Sequence, residues 1–279
     1  VIARIVSGEL AKDLGVSVVV ENKPGAGGMI GAQAVASAPP DGYTVLVGNT
    51  TEMVVGPYLV KSASYETQRD FRPVALAGYL PQLLVANPGV KATTIDEFIT
   101  LAKANPGMYS YATAGTGSTA HIAGALLERL AGITLLSVPY KGGAQAVTDV
   151  LAGNVSIYFS GIPPSIEHVK AGKLVALGIA GTRPVSSLPN VPILATGALR
   201  RLDLTAWFGF FVPKGTPNDI VELLHGKLRR IIDSPEVQAR LVGVGVVPGS
   251  LTAAQFEQFV TAERKKYGDF LSELGIKAE

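Results

Sequence analysis

Cysteine is absent from this 279-residue sequence, which excludes disulfides, thiolate metal sites and cysteine nucleophiles. Histidine is scarce, because only His121, His168 and His225 occur, far apart and in no HxH or HxxxH pair. Such spacing argues against a zinc or iron site. No GxSxG motif is present, so the usual nucleophile elbow of serine hydrolases is missing. We therefore expect no bound metal and no cysteine or serine-elbow chemistry.

Charge is also sparse. Charged residues make up 16% of the sequence, the net charge is +2, and lysines and arginines form no basic stripe, so nucleic acid is not the expected partner. No run of 18 apolar residues lacks proline or glycine, so no membrane span is predicted, and the opening stretch VIARIVSGELAKDLG predicts a helix rather than a signal peptide. With 47% hydrophobic residues, the chain has enough apolar surface for roughly two ordinary domains.

Strand and helix signals alternate along the chain, which predicts an α/β protein with a largely parallel sheet. Strand signals lie at Val16–Val20, Thr44–Val47, Leu83–Ala86, Leu135–Val138, Val155–Phe159, Val175–Ala180 and Ala206–Val212. Helix starts are marked by capping boxes at Thr94–Glu97 and Thr252–Gln255 and by prolines at Pro217 and Pro235, and a further helix is predicted from about Thr119 to Leu130.

A glycine-rich loop at residues 22–31 follows the first strand signal and resembles a dinucleotide-binding turn. Residue 30 is isoleucine where the GxGxxG pattern from Gly25 needs its third glycine. The next strand signal ends in Gly48-Asn49 without the carboxylate that would hold a ribose. We therefore expect a tight structural turn, and no nucleotide or other cofactor.

A second loop, ATAGTGSTAH at residues 112–121, connects a strand signal to a helix signal. Its small residues are expected to expose backbone N–H groups beside a helix N-terminus, and its hydroxyls add donors, which together favour an anion site. The alternative is plain N-capping by Ser118 or Thr119. No Gly-Lys-Ser/Thr follows, so it is not a Walker loop. The residues of interest are Thr113, Gly115, Thr116, Gly117, Ser118 and Thr119.

Two more turns have the same strand-to-helix context. The first carries Tyr140, Lys141 and Gly142, and the second carries Ser160 and Gly161. Lys141 either pairs with an acidic ligand or is an ordinary solvated lysine. Such turns meet at the carboxyl ends of parallel strands, where open α/β sheets bind ligands. Because residues 104–120 and 151–166 carry no charge, this edge suits a small carboxylate better than a polyphosphate.

His121 is the one titratable residue near the second loop. We expect it to be a packed or capping residue rather than a base. An α/β enzyme of hydrolase-like type that uses His121 is the alternative function, although no acid near it in the sequence would orient the imidazole.

With these features placed, the chain resembles the Bug family, the TctC-like extracytoplasmic solute receptors of tripartite tricarboxylate transporters. The matching stretches cover nearly the whole chain in family order: VVVENKPGAGGMIGAQAVASAPPDGYTVLVGN, NPGMYSYATAGTGSTAHIAGALLERLAG, VPYKGGAQAVTDVLAGNVSIYFSG, IEHVKAGKLVALGIAGTRPVSSLPNVPIL and AWFGFFVPKGTPNDIVELL. The combination VENKPGAGG, PDGYT and VPYKG is highly specific, whereas each piece alone is not. The resemblance makes residues 22–31 a structural signature of the family.

The resemblance implies a non-enzymatic α/β periplasmic binding protein with two lobes, type II-like and of the Venus-flytrap kind. It implies a discontinuous first lobe (1–107 and 213–279), a second lobe (108–212) and crossings near 108–112 and 207–212. The ligand would be a mono-, di- or tricarboxylate, and the partners the membrane components of the transporter, with the receptor itself a periplasmic monomer. Implied ligand contacts are Asn49, Thr50 and Trp207, together with the residues named above on the three turns.

Two departures from the family pattern affect these expectations. The chain starts inside the matching first helix, so the first lobe is expected to lack its usual N-terminal strand and carboxylate-binding loop. Ser160 stands where many relatives carry an acid, which favours plain or aromatic carboxylates over amino acids. A third function, a binding module that serves sensing rather than transport, would use the same site.

Overall fold

A computed structural model of the protein describes residues 1–60, 64–115 and 117–276. The helices are α1 (Ile2–Leu14), α2 (Met29–Ala36), α3 (Gly56–Leu59), α4 (Thr67–Asp70), α5 (Ile95–Ala104), α6 (Thr119–Ala131), α7 (Gly143–Ala152), α8 (Ile162–Lys170), α9 (Asn218–Asp233), α10 (Pro235–Gly243) and α11 (Ala253–Glu273). The strands are β1 (Leu46–Asn49), β2 (Phe71–Leu80), β3 (Gln82–Ala86), β4 (Ser110–Thr113), β5 (Leu136–Pro139), β6 (Ile157–Gly161), β7 (Val175–Ala180), β8 (Ala206–Pro213) and β9 (Val247–Pro248).

The chain divides into two compact units. Unit 1 consists of Val1–Tyr79 and Trp207–Glu279, and unit 2 of Leu80–Ala206. The second crossing lies close to the expected position, but the first differs from the expected 108–112 by about thirty residues. The first crossing comes earlier than expected because β3 is hydrogen-bonded to β6 and β7 of unit 2. Residues 80–107 therefore belong with the second unit rather than the first.

Unit 1 contains a sheet with strand order β1-β8-β2-β9, in which β1 pairs antiparallel with β8 and β2 antiparallel with β9. The expectation of a largely parallel sheet is wrong for this unit. The predicted strand at Val16–Val20 is also absent, because residues 17–24 form no regular secondary structure and pair with none of the described strands, and Val19 is 85% exposed. A β-branched run becomes a strand only when a neighbour supplies its hydrogen bonds.

The core of unit 1 is built on aromatic rings from β8 and α11. Phe211 lies with its ring centroid 5.3 Å from that of Phe256, and Trp207 packs edge-on against the same ring at 5.8 Å. Gly209 lies between these two strand residues. A side chain does not fit there, because a Cβ atom would overlap the Phe256 ring. Burial of these rings contributes much of the hydrophobic stabilisation of the unit.

Unit 2 contains a sheet with strand order β5-β4-β6-β3-β7. Here β4 runs parallel to β5 and β6, as expected, whereas β3 runs antiparallel to β6 and β7. Every residue of β3 is buried, which suits a strand in the middle of a covered sheet. Within the described ranges, no helix combines the length and apolar composition needed to cross a bilayer.

Candidate functional site

The carboxyl ends of β4, β5 and β6 share one edge of the unit 2 sheet. The register pairs Thr113 of β4 with Pro139 of β5, and Ala112 of β4 with Tyr158 of β6. Since β3 runs the other way, its first residue, Gln82, lies at the same edge, opposite Gly161. The three turns singled out in the sequence therefore start from neighbouring strand ends, as expected for a ligand-binding edge of an α/β sheet.

The loop between β4 and α6 uses most of its backbone donors internally. Thr113 Oγ1 accepts the Gly115 N–H at 3.2 Å, and Ser118 Oγ accepts the N–H groups of Ala114 and His121, both at 3.2 Å. Gly115 and Gly117 have φ angles of 99° and 75°, which explains why glycine occupies both positions. The expectation of exposed backbone donors is thus wrong for these amides. Thr116 lies outside the described residues.

Instead of backbone N–H groups, this loop can donate hydroxyl protons to a ligand. A serine or threonine hydroxyl has two lone pairs and one proton. Ser118 Oγ accepts two amide protons, so its own proton remains available to donate. Thr113 Oγ1 likewise accepts an amide and keeps its proton to donate. Ser118 and Thr119 are half-buried at the start of α6, and Thr113 is buried beside them. The loop is consequently a set of O–H donors suited to a group that only accepts.

His121 is hydrogen-bonded to this loop. Its Nδ1 accepts the Gly117 N–H at 3.1 Å, which leaves the proton of the neutral ring on Nε2. Burial lowers the pKa of the half-buried ring, so the neutral form is favoured. No carboxylate among the described residues bonds to the imidazole in the way a catalytic dyad requires. The geometry fits the expected packing or capping role of His121.

The turn after β5 is tied to this loop and to α7. The Tyr140 N–H donates to the Thr113 carbonyl at 2.9 Å, and its phenol donates to Asp149 Oδ2 at 2.7 Å. Burial, helped by this acceptor, raises the pKa of Tyr140 to about 12, so the phenol stays protonated. Lys141 is exposed, and Gly142 is the N-cap residue of α7, where it supplies no side-chain cap.

The turn after β6 differs from the expectation. Ser160 is fully buried, donates to the Gly161 carbonyl at 2.8 Å and accepts from Ser165 Oγ at 2.8 Å. Its hydroxyl proton is therefore already in use, so Ser160 has no proton to offer the ligand that it was expected to contact. Gly161 begins α8 and is half-buried at the sheet edge.

In unit 1, Asn49 and Thr50 end β1 and begin the following helical turn. Asn49 Oδ1 accepts the Thr51 N–H, and Glu52 Oε1 accepts the Asn49 N–H, both at 2.7 Å, which together make a reciprocal cap. Thr50 is buried, and its Oγ1 accepts the Trp207 N–H at 3.0 Å.

Trp207 does not wall a ligand site. Its side chain is fully buried in the aromatic core of unit 1, and its Nε1 donates to Glu263 Oε2 at 3.2 Å. The expectation for this residue is therefore corrected: its large ring serves the core rather than the ligand.

Three buried polar residues at or near these positions, Glu52, Gln82 and Tyr158, were not identified from the sequence. Glu52 is 4% exposed, its Oε2 has no hydrogen-bond partner among the described residues, and burial raises its pKa to about 7. Gln82 and Tyr158 are 7% and 5% exposed. The spacing Asn49-x-x-Glu52 is a capping signal that was available, and Gln82 is a polar residue opening an apolar strand.

The turn of residues 25–28 packs against Glu52, since a Cβ atom at Gly28 would lie 3.1 Å from its Oε2. Gly25, Gly27 and Gly28 all have positive φ angles. A tight structural turn accounts for this glycine signature. Groups of three or more side chains suited to a metal ion do not occur in the part of the chain that the structure describes.

Comparisons with known proteins agree with this fold. Residues 2–276 match the family described as the tripartite tricarboxylate transporter family receptor, TctC. BugT of Bordetella pertussis is 34% identical over 99% of this chain and 85% of its own length. The structure of Rpa4515 of R. palustris with adipate has a TM-score of 0.87 at 27% identity, covering all of this chain and 93% of that one.

MatC from Rhodopseudomonas palustris, solved with bound malate, has a TM-score of 0.81 at 30% identity and covers 97% of this chain and 93% of its own. The architecture is thus that of periplasmic binding proteins of the TctC type. The chain belongs to the TctC family of tripartite tricarboxylate transporter receptors, and the Bug-family resemblance is confirmed.

Proposed function

We propose that this protein is a periplasmic receptor that binds a small carboxylate and delivers it, as a monomer and without catalysis, to the membrane components of a tripartite tricarboxylate transporter. Family membership supports the transporter partner, and the adipate and malate in the two related structures support the ligand class. Asn49 and Thr50 of unit 1 stay predicted ligand contacts.

The observation that carries this proposal is the arrangement of hydroxyls at the β4–α6 loop. Thr113 and Ser118 use their lone pairs on backbone amides, so each offers a proton to an external acceptor. A carboxylate has only acceptor oxygens and meets this requirement. Hydrogen bonds to a charged group are worth about 1.5–3 kcal/mol each, so loss of one such donor is expected to weaken carboxylate binding about tenfold to a hundredfold.

The test compares two substitutions at one residue. Ser118→Asp keeps a good N-cap for α6 and places negative charge where the helix dipole favours it, but it removes the hydroxyl proton and repels a carboxylate. Ser118→Ala removes both the cap and the donor, at a cost in stability of about 1 kcal/mol. We expect Ser118→Asp to fold as stably as the wild type and to lose carboxylate binding.

Binding is measured by thermal shift and calorimetry with acetate, malate, adipate, glutamate, citrate and terephthalate, with NAD as a control. Ligand at one hundred times its Kd stabilises a folded protein by about 2.7 kcal/mol, which gives a clear shift in melting temperature. Stabilisation by a carboxylate but not by NAD is the expected result. Failure of every carboxylate to bind the wild type would refute the proposed function, and unchanged binding by Ser118→Asp would remove this loop from the site.

A further inference from the structure

Glu52 is a buried carboxylate with one oxygen in use and one oxygen without a partner. Its side chain is 4% exposed, and Oε1 accepts the Asn49 N–H at 2.7 Å, while Oε2 has no hydrogen-bond partner among the described residues. A buried oxygen of this kind costs free energy, because it has lost its water without gaining a donor. Capping alone does not require an ionisable group here, since glutamine would accept the same N–H.

The side chains around Glu52 leave its charge uncompensated. From the segment after α3, the Tyr65 phenol donates to the Glu52 main-chain carbonyl at 2.5 Å rather than to the carboxylate. From α11, Arg264 donates to Glu66 Oε1 at 3.1 Å and forms no ion pair with Glu52. The turn of residues 25–28 and the elements β1, α2 and α3, which also pack here, carry no charged side chain. Burial therefore raises the pKa of Glu52 to about 7.

A second buried carboxylate of unit 1 has the usual arrangement. Glu263 is 6% exposed, accepts the Trp207 indole N–H at 3.2 Å and forms an ion pair with Lys266. Its negative charge is thus balanced by a cation, as buried charges in proteins usually are. Glu52 has neither a cation nor a donor for its second oxygen among the described residues, so a nearby anion would act on it without a counter-charge.

Asn49 connects Glu52 to the proposed ligand site. Its Oδ1 accepts the Thr51 N–H at 2.7 Å, so the other end of the amide, Nδ2, carries two protons that no described residue accepts. Asn49 is half-buried, and its amide can be reached by a ligand. Since Glu52 holds the backbone of this same residue, an anion bound by Asn49 is separated from Glu52 by one residue. At such short range two negative charges repel, which favours the protonated form of Glu52.

We propose that Glu52 is a positioning residue of the carboxylate site, which holds Asn49 for the ligand and takes up a proton from solvent when the ligand binds. This inference rests on the proposed function and on Asn49 as a ligand contact. Above about pH 7 the carboxyl of the unliganded protein is charged, so binding an anion beside it requires proton uptake, and affinity falls as pH rises. Below this pH the carboxyl is already protonated, and affinity no longer depends on its charge.

The test is calorimetry with malate and with adipate between pH 6.5 and 8.5, in two buffers of different ionisation enthalpy. The carboxyls of the ligands titrate below this range, so a change in Kd reports on the protein. For wild type we expect the Kd to rise about tenfold across the range, equivalent to about one pKa unit, with proton uptake that differs between the buffers in measured heat. Glu52→Gln keeps the acceptor for Asn49 and cannot titrate, so its Kd should stay at the wild-type value for pH 6.5 throughout.

The matched control is Glu128→Gln. Glu128 is also a half-buried carboxylate that accepts a backbone amide, from Leu135 at 2.7 Å, and burial raises its pKa as well. It lies near the end of α6, ten residues along the chain from Ser118, so its charge is remote from the proposed site. This variant should keep the pH dependence of wild type.

Glu52→Ala tests the positioning role separately from the charge. It removes the acceptor of the Asn49 N–H, so we expect a Kd about tenfold higher than wild type even at pH 6.5, an effect that glutamine reverses. Equal affinity of Glu52→Ala and wild type at pH 6.5 would refute the positioning role. A pH-independent Kd for wild type, or a pH dependence that persists in Glu52→Gln, would refute the proton uptake while the proposed function stands. If wild type binds no carboxylate at any pH, the proposed function fails and this inference fails with it.

Discussion

Glu52 makes the stability of unit 1 depend on pH in a direction opposite to that of most carboxylates. Its side chain is 4% exposed, one oxygen accepts the Asn49 N–H, and the other has no partner among the described residues. Burial raises its pKa from 4.5 to about 7. Glu52→Gln keeps the shape and the acceptor for Asn49 but never carries the charge.

The sign and size follow from the two pKa values. Below about pH 4.5 the carboxyl is protonated in both folded and unfolded chains, so it costs nothing. Between pH 4.5 and 7 the unfolded chain gives up this proton more readily, so the free energy of unfolding falls as pH rises, and it levels off above pH 7. A difference of about 2.5 pKa units corresponds to about 3 kcal/mol.

Urea unfolding of wild type and Glu52→Gln at pH 4.5, 6, 7 and 8.5 measures this effect. Fluorescence of Trp207, the one tryptophan of the sequence, reports on unit 1, where Glu52 also lies. We expect similar stabilities at pH 4.5 and a variant more stable by about 3 kcal/mol at pH 8.5. Glu222→Gln, on the exposed surface of α9, is the control that should track wild type. Parallel curves for wild type and Glu52→Gln would refute the account.

Two further predictions concern Ser160 and Trp207, whose surroundings differ from those expected from the sequence. Ser160→Asp is expected to lower the melting temperature of the unliganded protein by several degrees, because it buries a carboxylate beside the Gly161 carbonyl and displaces the Ser165 bond. An unchanged melting temperature with weaker carboxylate binding would return Ser160 to the ligand site. Trp207→Phe is expected to cost about 2 kcal/mol in urea unfolding followed by circular dichroism, since it removes a bond to the Glu263 carboxylate. An unchanged unfolding midpoint would mean that this buried bond contributes nothing.

Local signals in the sequence predicted local structure well. The boxes at Thr94–Glu97 and Thr252–Gln255 are both formed, and Pro235 follows a Ser234 cap as expected. These signals work because both partners lie within three or four residues of each other. Pro217 was expected at the first position of its helix, but it is the N-cap residue, and α9 begins one residue later, at Asn218.

Non-local pairing was not readable in the same way. Ten-residue β2 was missed, and β3 was predicted as a strand but assigned to the wrong side of the first crossing. No signal in the β3 sequence indicates that its partners are β6 and β7, because both strands lie more than seventy residues later in the chain. Antiparallel pairing in unit 1 escaped prediction for the same reason.

At the candidate site, residue types were predictable and hydrogen-bond partners were not. The hydroxyls of the β4–α6 loop were identified, but their use as acceptors for the loop amides depends on the turn that Gly115 and Gly117 allow. Ser160 was selected for its position at a strand end, whereas its bond to Ser165 depends on where α8 begins. Trp207 was expected to wall the ligand site, whereas its burial depends on packing against Phe256 and Phe259 of α11.

The absence of charge from residues 104–120 and 151–166 also bears on how quickly a ligand arrives. Fast capture of anions usually depends on a positive field that draws them in from a distance, and salt weakens that field. Neutral hydroxyls and helix-end amides act only at contact range. For the proposed carboxylate site we therefore expect an association rate that changes little between dilute and saline solution, with discrimination among anions set by the contacts made after encounter.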